Sequence, residues 1–253
     1  GTGNDRLILG AFVNTVTIAN IETVTGGASS DTVVLATQAA GAIVDLAGGS
    51  DKLVLGDFLN TLSVSNVETI VGGATNDTVT FSARVTAASV DLGEGLDKLT
   101  LGAFINTVTV SGAETIIGGL SSDTVVIGTE VTGGFVDLAA GSDRLVLDPT
   151  GATLTAANVE TISGGTADDA IVLSTAIVGI VDLGGGEDRL TLANARNTVT
   201  AAGVETVTGG TSSDLVTFTT QATGAEVDLG GSTDRLILGA FVNTDTVSNV
   251  ETV

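Results

Sequence analysis

The 253-residue sequence has no cysteine, methionine, histidine, tryptophan or tyrosine, and only one proline. Without cysteine there is no disulfide framework and no thiolate metal site, a usage that fits many exported bacterial proteins. Without histidine the chain lacks the commonest acid–base residue at neutral pH and the commonest metal ligand. Basic residues are scarce, eight against thirty acidic ones, for a net charge of −22. A nucleic-acid partner needs a basic footprint, so this balance argues against one and makes divalent cations the natural counter-ions. No apolar run approaches the roughly 18–20 residues of a bilayer-spanning helix, so membrane insertion of that kind is not expected.

What is present is apolar, glycine-rich and periodic. Hydrophobic residues make up 43% of the chain and charged ones 15%, which excludes ordinary disorder. One phrase recurs throughout, a glycine-rich turn that closes on an aspartate and opens into an apolar strand. It reads Gly1-Thr2-Gly3-Asn4-Asp5-Arg6-Leu7-Ile8-Leu9 at the start and Gly48-Gly49-Ser50-Asp51-Lys52-Leu53-Val54-Leu55 later. The closing aspartates are Asp5, Asp31, Asp51, Asp77, Asp97, Asp123, Asp143, Asp169, Asp188, Asp214 and Asp234, spaced alternately 26 and 20 apart with one slip to 19. The full period is 46 residues, marked also by Glu22, Glu68, Glu114, Glu160, Glu205 and Glu251 and by Asp45, Asp91, Asp137, Asp182 and Asp228. Such repetition predicts a single solenoid array across residues 1–253. The chain begins and stops in mid-motif, which predicts a piece of a longer repeat protein.

The pattern predicts an all-β, right-handed parallel β-solenoid. Reading each half-period as one coil gives about eleven coils in a 46-residue double-coil repeat. Expected strands are Leu7–Leu9, Thr15–Ile18, Glu22–Thr25, Val33–Leu35 and Ile43–Leu46, with their copies, rich in Val, Ile, Leu and Thr. Alternation points Leu7/Leu9, Val33/Leu35, Leu53/Leu55 and Val79/Phe81 inward. It points Arg6, Lys52, Lys98, Arg144, Arg189 and Arg235 outward. Asn20, Asn66, Asn158 and Asn249 share a column with Gly112 and Gly203, an exchange that marks a left-handed backbone position. Asn14, Asn60, Asn106, Asn197 and Asn243 form a second column, broken by Ala152, that suits either a turn or hydrogen bonding along the axis. Phe12, Phe58, Phe104 and Phe241 read as core packing. The one-residue deletion between Asp169 and Asp182 is expected in a loop, and Pro149 predicts an altered loop at Asp148–Gly151.

The phrases opening at Gly1, Val90-Asp91-Leu92-Gly93-Glu94-Gly95-Leu96-Asp97 and Val67-Glu68-Thr69-Ile70-Val71-Gly72-Gly73 resemble the repeats-in-toxin nonapeptide family and the β-strand repeats of large bacterial surface proteins. The resemblance covers the whole array through partial copies. That family repeats every nine residues, whereas a half-period here carries one Gly-Asp turn, and Ser29-Ser30 and Ser121-Ser122 stand where an inner glycine would. The resemblance implies calcium held between stacked turns by aspartate carboxylates and backbone carbonyls. It also implies an extracellular or cell-surface location, as adhesin, S-layer or toxin stalk, reached by type I secretion.

Stacked in register, the closing aspartates would repeat every ~4.8 Å along one edge, with repulsion of about 0.9 kcal/mol per neighbour in water and roughly 3.5 kcal/mol at an effective dielectric of 20. Calcium, taking six to eight oxygens, would relieve this, and the candidate ligands are all sixteen aspartates named above. The alternative is that each aspartate caps its own turn by accepting N–H bonds in a solvated position. Every constellation recurs and none is unique, so the expected function is a structural rod, filament or stalk rather than an enzyme. Its expected partner is itself, end to end or laterally, or the remainder of a longer solenoid. Two other functions are weighed: a polysaccharide-active β-helix enzyme, by fold analogy, and an ice- or surface-binding face built on Thr-x-Thr phrases such as Thr15-Val16-Thr17 and Thr61-Leu62-Ser63.

Overall fold

The computed structural model describes residues 3–253; Gly1 and Thr2 of the first glycine turn lie outside them. The described residues contain no helix, and the fold is a parallel β-solenoid. It divides into two compact units, Gly1–Val126 and Ile127–Val253.

In the first unit the first period supplies β1 (Arg6–Ile8), β2 (Thr15–Ile18), β3 (Thr23–Thr25), β4 (Thr32–Leu35) and β5 (Ala40–Asp45). The second supplies β6 (Lys52–Val54), β7 (Thr61–Ser65), β8 (Thr69–Gly73), β9 (Thr78–Phe81) and β10 (Thr86–Gly93). The third opens with β11 (Lys98–Thr100), β12 (Thr107–Ser111), β13 (Thr115–Ile117) and β14 (Thr124–Ile127). Odd strands form one parallel sheet in the order β1-β3-β5-β7-β9-β11-β13, and even strands form the other, β2-β4-β6-β8-β10-β12. Each turn of the solenoid is therefore one odd and one even strand.

The predicted coil assignment is corrected here. A 46-residue period holds five strands, two and a half turns, so the longer half-period spans three strands and the shorter two. Because five is odd, equivalent residues of successive periods fall on opposite sheets: Leu7 in β1 and Leu99 in β11 on one, Leu53 in β6 on the other. Residues stacked on one another are mostly 17 or 20 apart, as in Thr15↔Thr32 and Thr32↔Lys52.

The second unit repeats the scheme with β15 (Val131–Asp137), β16 (Arg144–Val146), β17 (Ala152–Ala157), β18 (Thr161–Ser163), β19 (Ala170–Leu173) and β20 (Val178–Asp182). It continues with β21 (Arg189–Thr191), β22 (Thr198–Ala202), β23 (Thr206–Gly210), β24 (Leu215–Phe218), β25 (Thr223–Gly230), β26 (Arg235–Ile237) and β27 (Thr244–Ser248). The single-residue deletion lies within a strand rather than a loop. β5, β10, β15 and β25 each break register near their start, at Gly41, Ala87, Gly133 and Gly224, which all have positive φ. β20 pairs with β22 without a break, from Val178↔Thr198 to Asp182↔Ala202. The missing residue is thus the extra one of a β-bulge, and losing it restores a regular ladder.

The inward ladders are as expected: Val33, Leu35, Leu53, Leu55, Val79, Phe81, Leu99 and Leu101 are buried, as are Val44, Val64 and Ile70. Each fully buried Leu, Ile or Val contributes about 1.5–3 kcal/mol of transfer free energy. The six basic residues after the aspartates are exposed. Asn20, Asn66, Asn158, Asn249, Gly112 and Gly203 all have φ between 51° and 57°, as the Asn/Gly exchange implies. The phenylalanine column is not core. Phe12, Phe58, Phe104 and Phe241 are 78, 36, 44 and 49% exposed, because they sit on corner loops whose inward space is taken by the following asparagine. Phe81 and Phe218, on strands, are the buried aromatics. At the altered loop Thr150 N–H and its hydroxyl both bond Asp148 Oδ1, and Gly151 N–H closes a turn on Asp148 O.

Candidate functional site

The acidic residues converge on the two edges where the chain crosses between sheets. In the first unit one edge, leading into even strands, stacks Asn14, Asp31, Asp51, Glu68, Val85, Asn106 and Asp123 in successive turns. The other, leading into odd strands, stacks Asp5, Glu22, Ala39, Asn60, Asp77, Asp97 and Glu114. Both read the same five-turn cycle of asparagine, aspartate, aspartate, glutamate and a small or aliphatic residue. In the second unit the cycle runs through Asp143, Glu160, Ile177, Asn197, Asp214, Asp234 and Glu251 on one edge. Ala152, Asp169, Asp188, Glu205, Ala222 and Asn243 carry it on the other. A continuous file of like aspartates therefore does not form. Aspartates stack in pairs, each pair followed by one glutamate and then interrupted by two neutral residues.

Hydrogen bonds bind each cycle along the solenoid axis. The first aspartate accepts the asparagine N–H at its Oδ1: Asn60 to Asp77 is 3.0 Å, and the Asn60 side-chain amide reaches the same oxygen at 2.9 Å. The first aspartate in turn donates its N–H to Oδ1 of the second, 2.6 Å from Asp31 to Asp51 and 2.5 Å from Asp77 to Asp97. The second donates to the glutamate Oε2, 2.8 Å from Asp51 to Glu68 and 2.7 Å from Asp97 to Glu114. The asparagine closes the cycle by accepting the N–H of the small residue, 2.9 Å from Ala39 to Asn60. Hydrogen bonding along the axis is thus the role of the asparagine column, with aspartate and backbone as partners. Asn60, Asn106 and Asn197 are fully buried. The glutamate of each Glu-Thr phrase, marked in the sequence only as a period marker, is the acceptor that ends each acidic stretch.

The sixteen aspartates named as calcium ligands separate into classes. Asp31, Asp51, Asp77, Asp97, Asp123, Asp143, Asp169, Asp188, Asp214 and Asp234 are 1–3% exposed, and Asp5 is half-buried. Asp45, Asp91, Asp137, Asp182 and Asp228 lie on the outside of the turns, half-buried or exposed. Four of these five accept the N–H two residues on, at Ala47, Gly93, Ala139 and Gly230, over 3.0–3.2 Å. Asp45, Asp137 and Asp228 also accept the side-chain amides of Asn66, Asn158 and Asn249 at 2.6–2.7 Å. Asp91 and Asp182 have Gly112 and Gly203 in that column instead, which supply no amide. This outer class has the turn-capping arrangement.

Burial pushes the carboxyls of Asp51, Asp77, Asp97, Asp169, Asp188 and Asp214 above the ordinary range, Asp97 and Asp188 to about 6. For Asp97 the N–H of Asp77 opposes the shift, and the charges of Asp77 and Glu114 add to it. Oδ2 of Asp51, Asp97, Asp188 and Asp234 is buried and receives no hydrogen bond.

Among the described residues no three acidic side chains come together as a metal cage. The groups aimed at the buried carboxylates are N–H donors, which complement an anion, whereas calcium requires six to eight oxygens. The residues present do not fit a calcium ion at these columns. Compared with protein-family models, characterised proteins and solved structures, the chain has no match.

Proposed function

We propose that the chain is a passive structural segment, a spacer in a large bacterial protein displayed outside the cell. That it is a β-solenoid repeat protein is plain from its sheets. The observation that carries the functional reading is the recurrence of the same buried polar residues from period to period among the described residues. Among the described residues every polar residue that is buried as a whole belongs to the Asn-Asp-Asp-Glu cycle, which returns on both edges of each unit, whereas a catalytic centre needs an asymmetric set of groups in one place. Hollows on the surface agree with this. One lined by Asn66, Glu68, Arg84 and Thr86 holds about 140 Å³ and one lined by Arg196, Ser213, Thr233 and Arg235 about 200 Å³, below the roughly 300–1,000 Å³ of small-molecule sites.

The Thr-x-Thr reading draws less support. Successive copies alternate between the sheets, Thr15/Thr17 on the even one and Thr61/Ser63 on the odd one, and Lys52 and Lys98 interrupt the threonine columns beside Thr32 and Thr78. Protease shaving of intact cells that carry the native gene is expected to release peptides of this array. Recovery from the cytosolic fraction alone would overturn the surface assignment, and turnover of a polysaccharide by the purified chain would overturn the passive role.

A further inference from the structure

The fifth period departs from the others at one corner of the second unit, and a second cation stands there. We infer that the hollow between Arg196 and Arg235 binds a singly charged sulfate ester.

Elsewhere the two residues before the corner asparagine are an aromatic and an aliphatic, as in Phe12-Val13, Phe58-Leu59 and Phe104-Ile105. The fifth period has Ala195-Arg196 in their place, so the ring is gone and a guanidinium replaces the aliphatic side chain. The corner itself does not need the arginine. Asn197 donates to Asp214 Oδ1 at 2.9 Å and to the Ala195 carbonyl at 2.7 Å, as Asn60 does to Asp77 and Phe58.

Stacking brings Arg235 to the same spot. Asn197, Asp214 and Asp234 lie on three successive turns. Arg196 therefore sits on the first, Ser213 and Leu215 on the second, and Thr233 and Arg235 on the third. With Asp214 they line a hollow of about 200 Å³. Two turn spacings, about 10 Å, separate the arginine backbones, so the side chains can close on one small group from opposite sides. Both arginines are exposed, and among the described residues neither guanidinium makes an ion pair or a hydrogen bond. Arg6 and Arg84, by contrast, are bonded to Thr25 and to the Ile105 carbonyl.

Each guanidinium offers five N–H donors and no acceptor, which suits an oxyanion. The floor of the hollow limits the charge of that anion. Asp214 is 3% exposed, with Oδ1 held by Asn197, and a carboxylate there disfavours a doubly charged phosphate monoester. Approach from two sides favours several oxygens on one centre. A sulfate ester presents three terminal oxygens under a single charge, whereas a carboxylate presents two. Ser213 Oγ, fixed by the Thr233 N–H at 3.3 Å and by Ser232 Oγ at 2.9 Å, adds a polar contact in the wall. The chain's net charge of −22 is screened beyond about 8 Å at physiological salt, so the two arginines dominate the local field.

Titration of the whole chain with methyl sulfate, followed by amide NMR, tests this. Saturable shifts are expected at Arg196, Ser213, Thr233 and Arg235. Arg196→Val, which restores the residue of the first period, and Arg235→Thr should each weaken binding about tenfold without lowering the melting temperature. Lys52→Thr, at the position matching Arg235 on the edge that carries Val13, should leave binding unchanged. The same shifts with dextran sulfate but not with dextran would extend the site to esters carried on a polymer; a response to methyl sulfate alone would confine it to free ones. No saturable shift, equal shifts on adding sodium chloride to the same ionic strength, or equal weakening by Lys52→Thr would overturn the inference.

Discussion

Replacing Asn60 by alanine isolates the joint on which the edge ladder depends. Asn60 is fully buried; its Oδ1 accepts the Ala39 N–H at 2.9 Å, and its amide nitrogen donates to Asp77 Oδ1 at 2.9 Å and Phe58 O at 2.6 Å. Alanine keeps the backbone N–H bond to Asp77 but leaves the Ala39 N–H and the Phe58 carbonyl without partners and removes one donor from a charged acceptor. Each buried group left unpaired costs about 1–3 kcal/mol, so the sum is about 3–5 kcal/mol once a water fills part of the space. Urea unfolding read through the change in midpoint at constant slope measures it. The same change already exists at Ala152, where Asp169 keeps its backbone bond at 2.7 Å and the corner is rebuilt as the Asp148–Gly151 turn. The substitution at residue 60 lacks that rebuilt corner. A loss under about 1 kcal/mol would refute the claim that the asparagine couples successive turns.

Other outcomes follow from the same geometry. Folded Asp97 and Asp188, with pKa about 6 against 3.8 unfolded, hold more protons than the unfolded chain between those values, so stability rises as pH falls. Between pH 7 and pH 5 the gain is about 1 kcal/mol for each group, and urea midpoints at the two pH values check its sign. Gly72→Ala places a Cβ 2.0 Å from Leu92 O on the neighbouring turn and should cost more than about 3 kcal/mol, seen as a collapse of the melting temperature. Ala87 holds φ 58° at its bulge, so Ala87→Gly should stabilise by about 0.5–1 kcal/mol in the same assay. Phe104→Ser, on an exposed corner, should change stability by less than about 0.5 kcal/mol; a larger loss would mean the ring is packed.

What the sequence determined by itself was local. Alternation within each strand placed Leu53, Leu55, Val79 and Phe81 inside and Lys52 and Lys98 outside, because the two-residue period of a strand is set by its own backbone. The Asn/Gly exchange at residues 20, 66, 112, 158, 203 and 249 revealed a left-handed position, because only those side chains meet its steric limit cheaply. The tertiary structure alone decided which turn lies on which. Strands of three to eight residues carry no mark of their partner, and whether a period holds an even or an odd number of them sets whether its copies share an edge. The odd number, five, splits the alternately spaced aspartates into pairs on two edges, and stacking then buries Asp97 and Asp188 between other acids. Spacing along the chain made the aspartates look like metal ligands; the N–H groups of adjacent turns, brought to them only by folding, make them hydrogen-bonded struts.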